Sequence, residues 1–355
     1  MKMVFGERLW CCRAAHSLAA MVLTASVLGP FCPLAAQSPA TDTVYIWDQE
    51  RETESRVRGT IRAYDNETLT VTIVSGRDQQ IPSARVSRLE SRWDQRQLEA
   101  DKFFAAGEFG KAEALYRQAL QHEMRPWARH RLVVQVSWSE QGAGQWADAA
   151  TTFLKSVLGS NPRTPYFAAI PLQWKTAAPS PSMERFSKTW LVDENNPAAN
   201  LLGASWLLAS PERELSIQVL KHLAVGQDPQ IAFLAETQLW RLQTPTVSAE
   251  GIEGWEKMLE RMPPALRAGP SYLLGHALRR TGREQDALIA WMRVPLQYPR
   301  HRLLAAESLL ATARYYQATG KSLQATTLYR ELAGGYGGTI AGQAARDQLQ
   351  EQTEK

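Results

Sequence analysis

Two hydrophobic periods divide the chain. Residues 42–90 alternate apolar and polar positions over short runs, the period of half-buried strands. Residues 57–64 (Val-Arg-Gly-Thr-Ile-Arg-Ala-Tyr) and 68–74 (Thr-Leu-Thr-Val-Thr-Ile-Val) are rich in β-branched residues. Turn residues Asp65-Asn66-Glu67 separate them, and a second turn falls at 75–78. Short strands are predicted at 79–82 and 85–90, with a first strand at 44–47. From Trp93 the alternation stops and a period near 3.6 takes over. The clearest stretch is 272–299. There Leu274, Ala277 and Leu278 form one stripe, Thr281-Gly282 turns the chain, and Ala287, Leu288, Trp291 and Val294 form the facing stripe before Pro299.

This helix–turn–helix unit recurs. Gly107, Ala112 and Tyr116 repeat the turn and second stripe, as do Gly144, Ala149 and Phe153, and Gly320, Ala325 and Tyr329. The middle of the chain is weaker. Residues 199–206 and 232–240 read as first helices, but their turn glycines are missing and Pro211 and Pro245 interrupt. A proline-rich helical pair is expected at 166–175 and 183–191, and a terminal helix at about 340–352. In all, six or seven helical pairs are expected between 93 and 339.

A turn glycine, a following alanine and an aromatic at a period near 34 residues resemble the tetratricopeptide repeat (TPR). The clearest repeats are 93–126, 130–163, 268–301 and 306–339, with degenerate units between 164 and 262. In 268–301, Gly275, Gly282, Ala287, Trp291 and Pro299 match the family's positions. Together with 306–339, this stretch is also similar to repeats of periplasmic envelope proteins, including those of the Tol–Pal and outer-membrane assembly systems. The fold class implied is mainly α: a TPR-like α-solenoid over 93–352, a right-handed superhelix of helical hairpins with a concave groove. It is preceded by a small all-β module over 42–90. The pattern Gly59-x-Ile61, Leu69-x-Val71, Gly76, Ile81-Pro82, Val86-x-x-Leu89 of that module resembles small Sm-like or SH3-like β-barrels.

Composition fits a globular chain: 355 residues, 44% hydrophobic and 21% charged, with formal net charge +4. No charge bias points to nucleic acid. Residues 1–36 read as a secretory signal peptide. Lys2, Arg8 and Arg13 precede an uncharged run at 18–28, Gly29-Pro30 breaks it, and cleavage is expected after Ala36. Retention of the leader as an anchor is the alternative. Cys11, Cys12 and Cys32 are the chain's three cysteines, and all would leave with the leader. The mature chain would then lack disulfides, thiolate nucleophiles and cysteine-bound metals. An exported, periplasmic or extracellular location is expected, with no transmembrane segment after signal removal.

The chemical motifs are mostly decoys. Ala318-Thr-Gly-Lys-Ser322 imitates a phosphate loop, but Tyr315 stands where its first glycine is needed. His122, His130, His222, His276 and His301 form no metal-ligand spacing, and no nucleophile elbow is present. No cofactor, metal or catalytic residue is assigned. Eleven tryptophans follow the leader; packing between helices is their default role, although the repeat register points Trp138 toward the groove. The TPR resemblance implies groove positions on first helices: Asn200, Gln238, Arg241, Tyr272, His276, Arg279, Arg280, Arg314 and Gln317. Arginine and tyrosine are frequent interface anchors, and guanidinium groups can hold a peptide carboxylate. The expected function is therefore a non-enzymatic exported scaffold that binds a protein or peptide partner, in envelope assembly or maintenance. The alternatives are a carbohydrate or peptidoglycan binder using exposed tryptophans, and a glycan-cleaving enzyme.

Overall fold

The computed structural model describes residues 42–48 and 51–353. The expected leader and its cysteines lie outside them. The sheet and helices belong to one compact unit, mainly helical. Among the described residues no helix is long and apolar enough to cross a membrane.

The alternating segments form five strands: β1 (Asp42–Asp48), β2 (Thr53–Tyr64), β3 (Thr68–Ile73), β4 (Asp78–Pro82) and β5 (Val86–Glu90). All neighbours are antiparallel, in the order β4-β3-β2-β1-β5. Val44, Ile46, Ile61, Leu69, Val71 and Ile81 point to one face and are buried. The expected barrel does not close: β4 and β5 are the two edges and do not pair. A helix, rather than the sheet's own curl, covers the apolar face. Trp127 and Ala128 of α3 (Pro126–Gly142) pack there, with Trp93 edge-on to Trp127 at 5.5 Å.

A polar clamp fixes that cover. The Asp42 carboxylate is fully buried and accepts from the Ile61 amide at 2.9 Å, from the Ser91 hydroxyl and from Arg125 at 3.4 Å. Arg125 also holds Glu123 at 2.7 Å. Burial pushes the Glu123 carboxyl up, but its hydrogen bonds to Arg125 outweigh this and leave it below the usual carboxylate range.

The helices are α1 (Gln95–Ala106), α2 (Phe109–His122), α3, α4 (Trp146–Thr151), α5 (Leu158–Ser160), α6 (Pro181–Leu191), α7 (Pro197–Leu207), α8 (Arg213–Ala224), α9 (Pro229–Gln243), α10 (Ala249–Arg261), α11 (Ala268–Arg280), α12 (Glu284–Gln297), α13 (Arg302–Ala318), α14 (Ser322–Gly335) and α15 (Ile340–Thr353). A π-helical turn, Thr152–Val157, joins α4 to α5. Start signals are local. Asp94, Ser180, Asn196, Asp228 and Ser248 cap α1, α6, α7, α9 and α10, three of which also carry proline in the first turn.

Four turns share one construction. Gly107, Gly144, Gly282 and Gly320 adopt φ of 78°, 76°, 79° and 73°, the left-handed region that favours glycine. In each unit the alanine five residues later (Ala112, Ala149, Ala287, Ala325) and the aromatic nine residues later (Tyr116, Phe153, Trp291, Tyr329) are at most 1% exposed. The alanine lets the two helices approach and the aromatic fills the space between them. Elsewhere the indoles of Trp240 and Trp255 stack 4.4 Å apart between α9 and α10.

The helical pair expected at 166–175 and 183–191 is half right. The second member forms as α6. The first does not: apart from a 3₁₀ turn at Phe167–Ala169 it is an irregular strap without helix or strand. Pro165 and Pro171 remove amide donors and bias their preceding residues toward extended backbone. The array also bends back on itself. Trp138 of α3 meets His301, before α13, at 4.5 Å between ring centres, and the Gly107 turn lies against Gly338, before α15.

Candidate functional site

The strap crosses one helix after another, and each is the first helix of its pair. On α3, Gln141 Nε2 donates to the Ala169 carbonyl at 2.8 Å. On α7, Trp206 Nε1 donates to the Pro171 carbonyl at 2.9 Å, and Ser205 Oγ accepts from the Gln173 amide at 2.9 Å. On α9, Arg241 Nη2 donates to the Lys175 carbonyl at 2.7 Å. On α11, Trp174 lies so close to Gly269 that a Cβ there would overlap its indole. On α13, Glu307 pairs with Lys175 at 2.8 Å. At the upstream end, Thr164 Oγ1 shares a hydrogen with His130 Nε2 at 2.8 Å.

Most of these contacts address the strap's main chain. Its apolar side chains Phe167, Ile170 and Leu172 are buried at the same time. Arg241 is 5% exposed and no carboxylate pairs with it among the described residues. Its charge is balanced by carbonyl dipoles: Ser205 O at 2.6 Å, Gln238 Oε1 at 2.8 Å and Lys175 O. Burial lowers its pKa to about 10, so the group remains charged at neutral pH.

The residues expected in the groove divide accordingly. Gln238 and Arg241 sit together beneath the strap, with Ser205 donating to Gln238 Oε1 at 2.9 Å. Asn200 caps the end of α6, its Nδ2 within 2.9–3.1 Å of the carbonyls of Trp190, Leu191 and Asp193. Tyr272 is buried and edge-on to His276 at 4.6 Å; His276 in turn meets Trp291 at 5.1 Å. Burial, aided by Arg279, lowers the His276 pKa to about 4. Arg279 and Arg314 are exposed and make no ion pair among the described residues. Arg280 ties α11 to the loop after α9 through the carbonyls of Thr244, at 3.0 Å, and Val247. Gln317 accepts from Tyr329 at 2.6 Å and donates to Gln348 at 3.1 Å, linking α13, α14 and α15.

Gln141, Ser205, Trp206 and Glu307, together with the strap, carry no sequence signal that marks them as functional. The spacing of Pro165 and Pro171 is the nearest to one for the strap. Among the described tryptophans only Trp47 is exposed, at 43%. Trp138, expected toward the groove, is 9% exposed and lines a cavity. Among the described residues no group of three or more His, Cys, Asp or Glu is placed to hold a metal ion. Known protein families, curated proteins and solved structures yield no match to this chain.

Proposed function

We propose that the protein is a non-enzymatic scaffold of the tetratricopeptide-repeat type, an α-solenoid whose inner face binds an extended segment of a partner protein. The observation that carries this reading is the strap itself. Side chains from α3, α7 and α9 hydrogen-bond its main chain, and α11 and α13 receive Trp174 and Lys175. Contacts to peptide carbonyls and amides accept many sequences, because every residue offers those groups. The strap is then an internal occupant that a partner segment of matching shape displaces. The basic–apolar leader supports export, and the resemblance to envelope repeats supports a role in envelope assembly or maintenance.

The test is isothermal titration of a synthetic peptide spanning 164–177 into a chain whose own strap is loosened by Trp174→Ala with Lys175→Ala. Micromolar to submillimolar binding is expected, abolished by adding Arg241→Met. No binding by the loosened chain, with its helical circular dichroism intact, overturns the reading.

A further inference from the structure

Between the sheet, α3, the strap and the segment joining α12 to α13 lies a cavity of about 740 Å³. Its walls include the rings of Trp138, Tyr166 and Tyr298, and three arginines, Arg88, Arg131 and Arg300, reach it. No aspartate or glutamate is among the lining residues. Arg88 is satisfied elsewhere: it pairs with Glu90 at 3.0 Å and lies over the Tyr45 ring at 3.9 Å.

The other two are not. Arg131 makes no hydrogen bond or ion pair with any described residue, and its Nε is buried without a partner. The guanidinium carbon lies over the Trp93 face, 4.6 Å from the ring centre. Burial lowers its pKa, and the positive charge of Arg300 adds to this, while Tyr166, Asp101 and Tyr116 act in the opposite sense. Asp101 accepts from the Tyr116 hydroxyl at 2.6 Å, outside the lining. Arg300 is exposed and unpaired among the described residues, and its neighbour His301 is held neutral, with a pKa lowered to about 4 by burial and by Arg300.

A half-buried guanidinium with an unsatisfied donor is unfavourable. A second unpaired guanidinium beside it makes the cavity complementary to an anion. Guanidinium forks match carboxylates in plane and charge. The aromatic rings and the prolines Pro165, Pro263 and Pro299 supply flat apolar walls of the kind that receive a ring.

We propose that this cavity binds a carboxylate carried on a ring, with Arg131 and Arg300 holding the carboxylate and Trp138 and Tyr298 flanking the ring. The strap forms one wall of the site through Pro165, Tyr166, Ala168 and Ala169, but the four residues that hold the ligand lie on α3 and on the segment joining α12 to α13, so the proposal does not rest on the inner face binding a partner. Two sources share this chemistry: a uronic-acid sugar and an aromatic acid.

The experiment is isothermal titration of the wild-type chain with four probes: a glucuronic-acid oligomer, phenylpropionate, and their neutral counterparts, a glucose oligomer and phenylpropionamide. Binding of either acid, with its neutral counterpart at least tenfold weaker, is expected; which acid binds identifies the source. Arg131→Met with Arg300→Met is expected to weaken that acid about 100-fold, roughly tenfold for each guanidinium removed from the carboxylate. Should Arg131→Met fail to fold, Arg300→Met alone decides, with an expected weakening of about tenfold. Binding of neither acid, equal binding of the neutral probes, or unchanged affinity in the variants overturns the proposal.

Discussion

Arg241→Met is the substitution that probes the strap most sharply. Methionine keeps most of the stem's volume and removes the guanidinium alone. Three hydrogen bonds disappear, to Ser205 O, Gln238 Oε1 and Lys175 O. Hydrogen bonds to charged groups contribute about 1.5–3 kcal/mol each, so the three amount to about 5–9 kcal/mol. Burial of the charge offsets part of this: a pKa lowered from 12.5 to about 10 corresponds to about 3 kcal/mol. A net loss of about 2–6 kcal/mol remains. For 355 residues, an unfolding entropy of about 2.1 cal/mol/K per residue turns this into a fall in Tm of about 3–8 °C. Differential scanning calorimetry measures the fall, and hydrogen exchange locates it: faster exchange is expected first at the amides of Gln173 and Lys175, while α11 and α12 keep their protection. An unchanged Tm with unchanged exchange at those amides would show that Arg241 does not hold the strap.

Three further predictions concern separate parts of the molecule. Gly282→Ala, at φ 79°, is expected to lower stability by about 1–2 kcal/mol, whereas Gly254→Ala, exposed inside α10 with nothing near its added Cβ, is expected to raise it by about 0.5–1 kcal/mol; urea midpoints with a common m-value check both. Arg125→Met strips Asp42 and Glu123 of their cation and is expected to cost about 3 kcal/mol, with early loss of exchange protection in β1; equal stability of the variant and wild type would contradict the clamp. Burial holds the folded-state pKa of His130, His276 and His301 to about 4, whereas the unfolded chain takes up those protons near pH 6.5. Stability should therefore fall as pH drops from about 6.5 to about 4. Glu140 opposes this, since burial raises its pKa to about 7 despite its 2.7 Å ion pair with Arg117, and it gains stability from protonation in the same range. Three groups against one leave a net loss of at most about 3 kcal/mol per pH unit, which Glu140→Gln steepens; a chemical-denaturation series that is flat from pH 6.5 to 4.5 would contradict it.

Where structure depends on neighbours in the chain, the sequence is legible. The turn glycines, the alanines five residues on and the aromatics nine residues on mark the hairpins, because a left-handed turn and a close helix contact each restrict the residue allowed. The five strands are legible from their alternation, but closure of the sheet is not. Period-two burial says that one face is covered without saying by what, and here Trp127 and Ala128 of α3 cover it. The strap reads as a helix because Phe167, Ile170 and Trp174 also fit a helical spacing, and the bonds that hold it in place come from residues 28 to 66 positions away. Gln238 and Arg241 are singled out by the repeat register alone. Arg131 and Arg300 are not, since no local pattern brings positions 131 and 300 to one cavity. Only the return of the array onto itself does so, through contacts such as Trp138 with His301.

Hydrogen exchange at the Gln173 amide, followed while the 164–177 peptide is titrated into the wild-type chain, tests most directly whether the inner face takes an extended segment in place of the strap. That amide donates to Ser205 Oγ, so it should be protected in the free chain and lose protection as the added peptide takes the strap's place, with the helices unchanged. Protection absent from the outset, or present and unmoved at saturating peptide, would contradict a strap that a partner segment can replace.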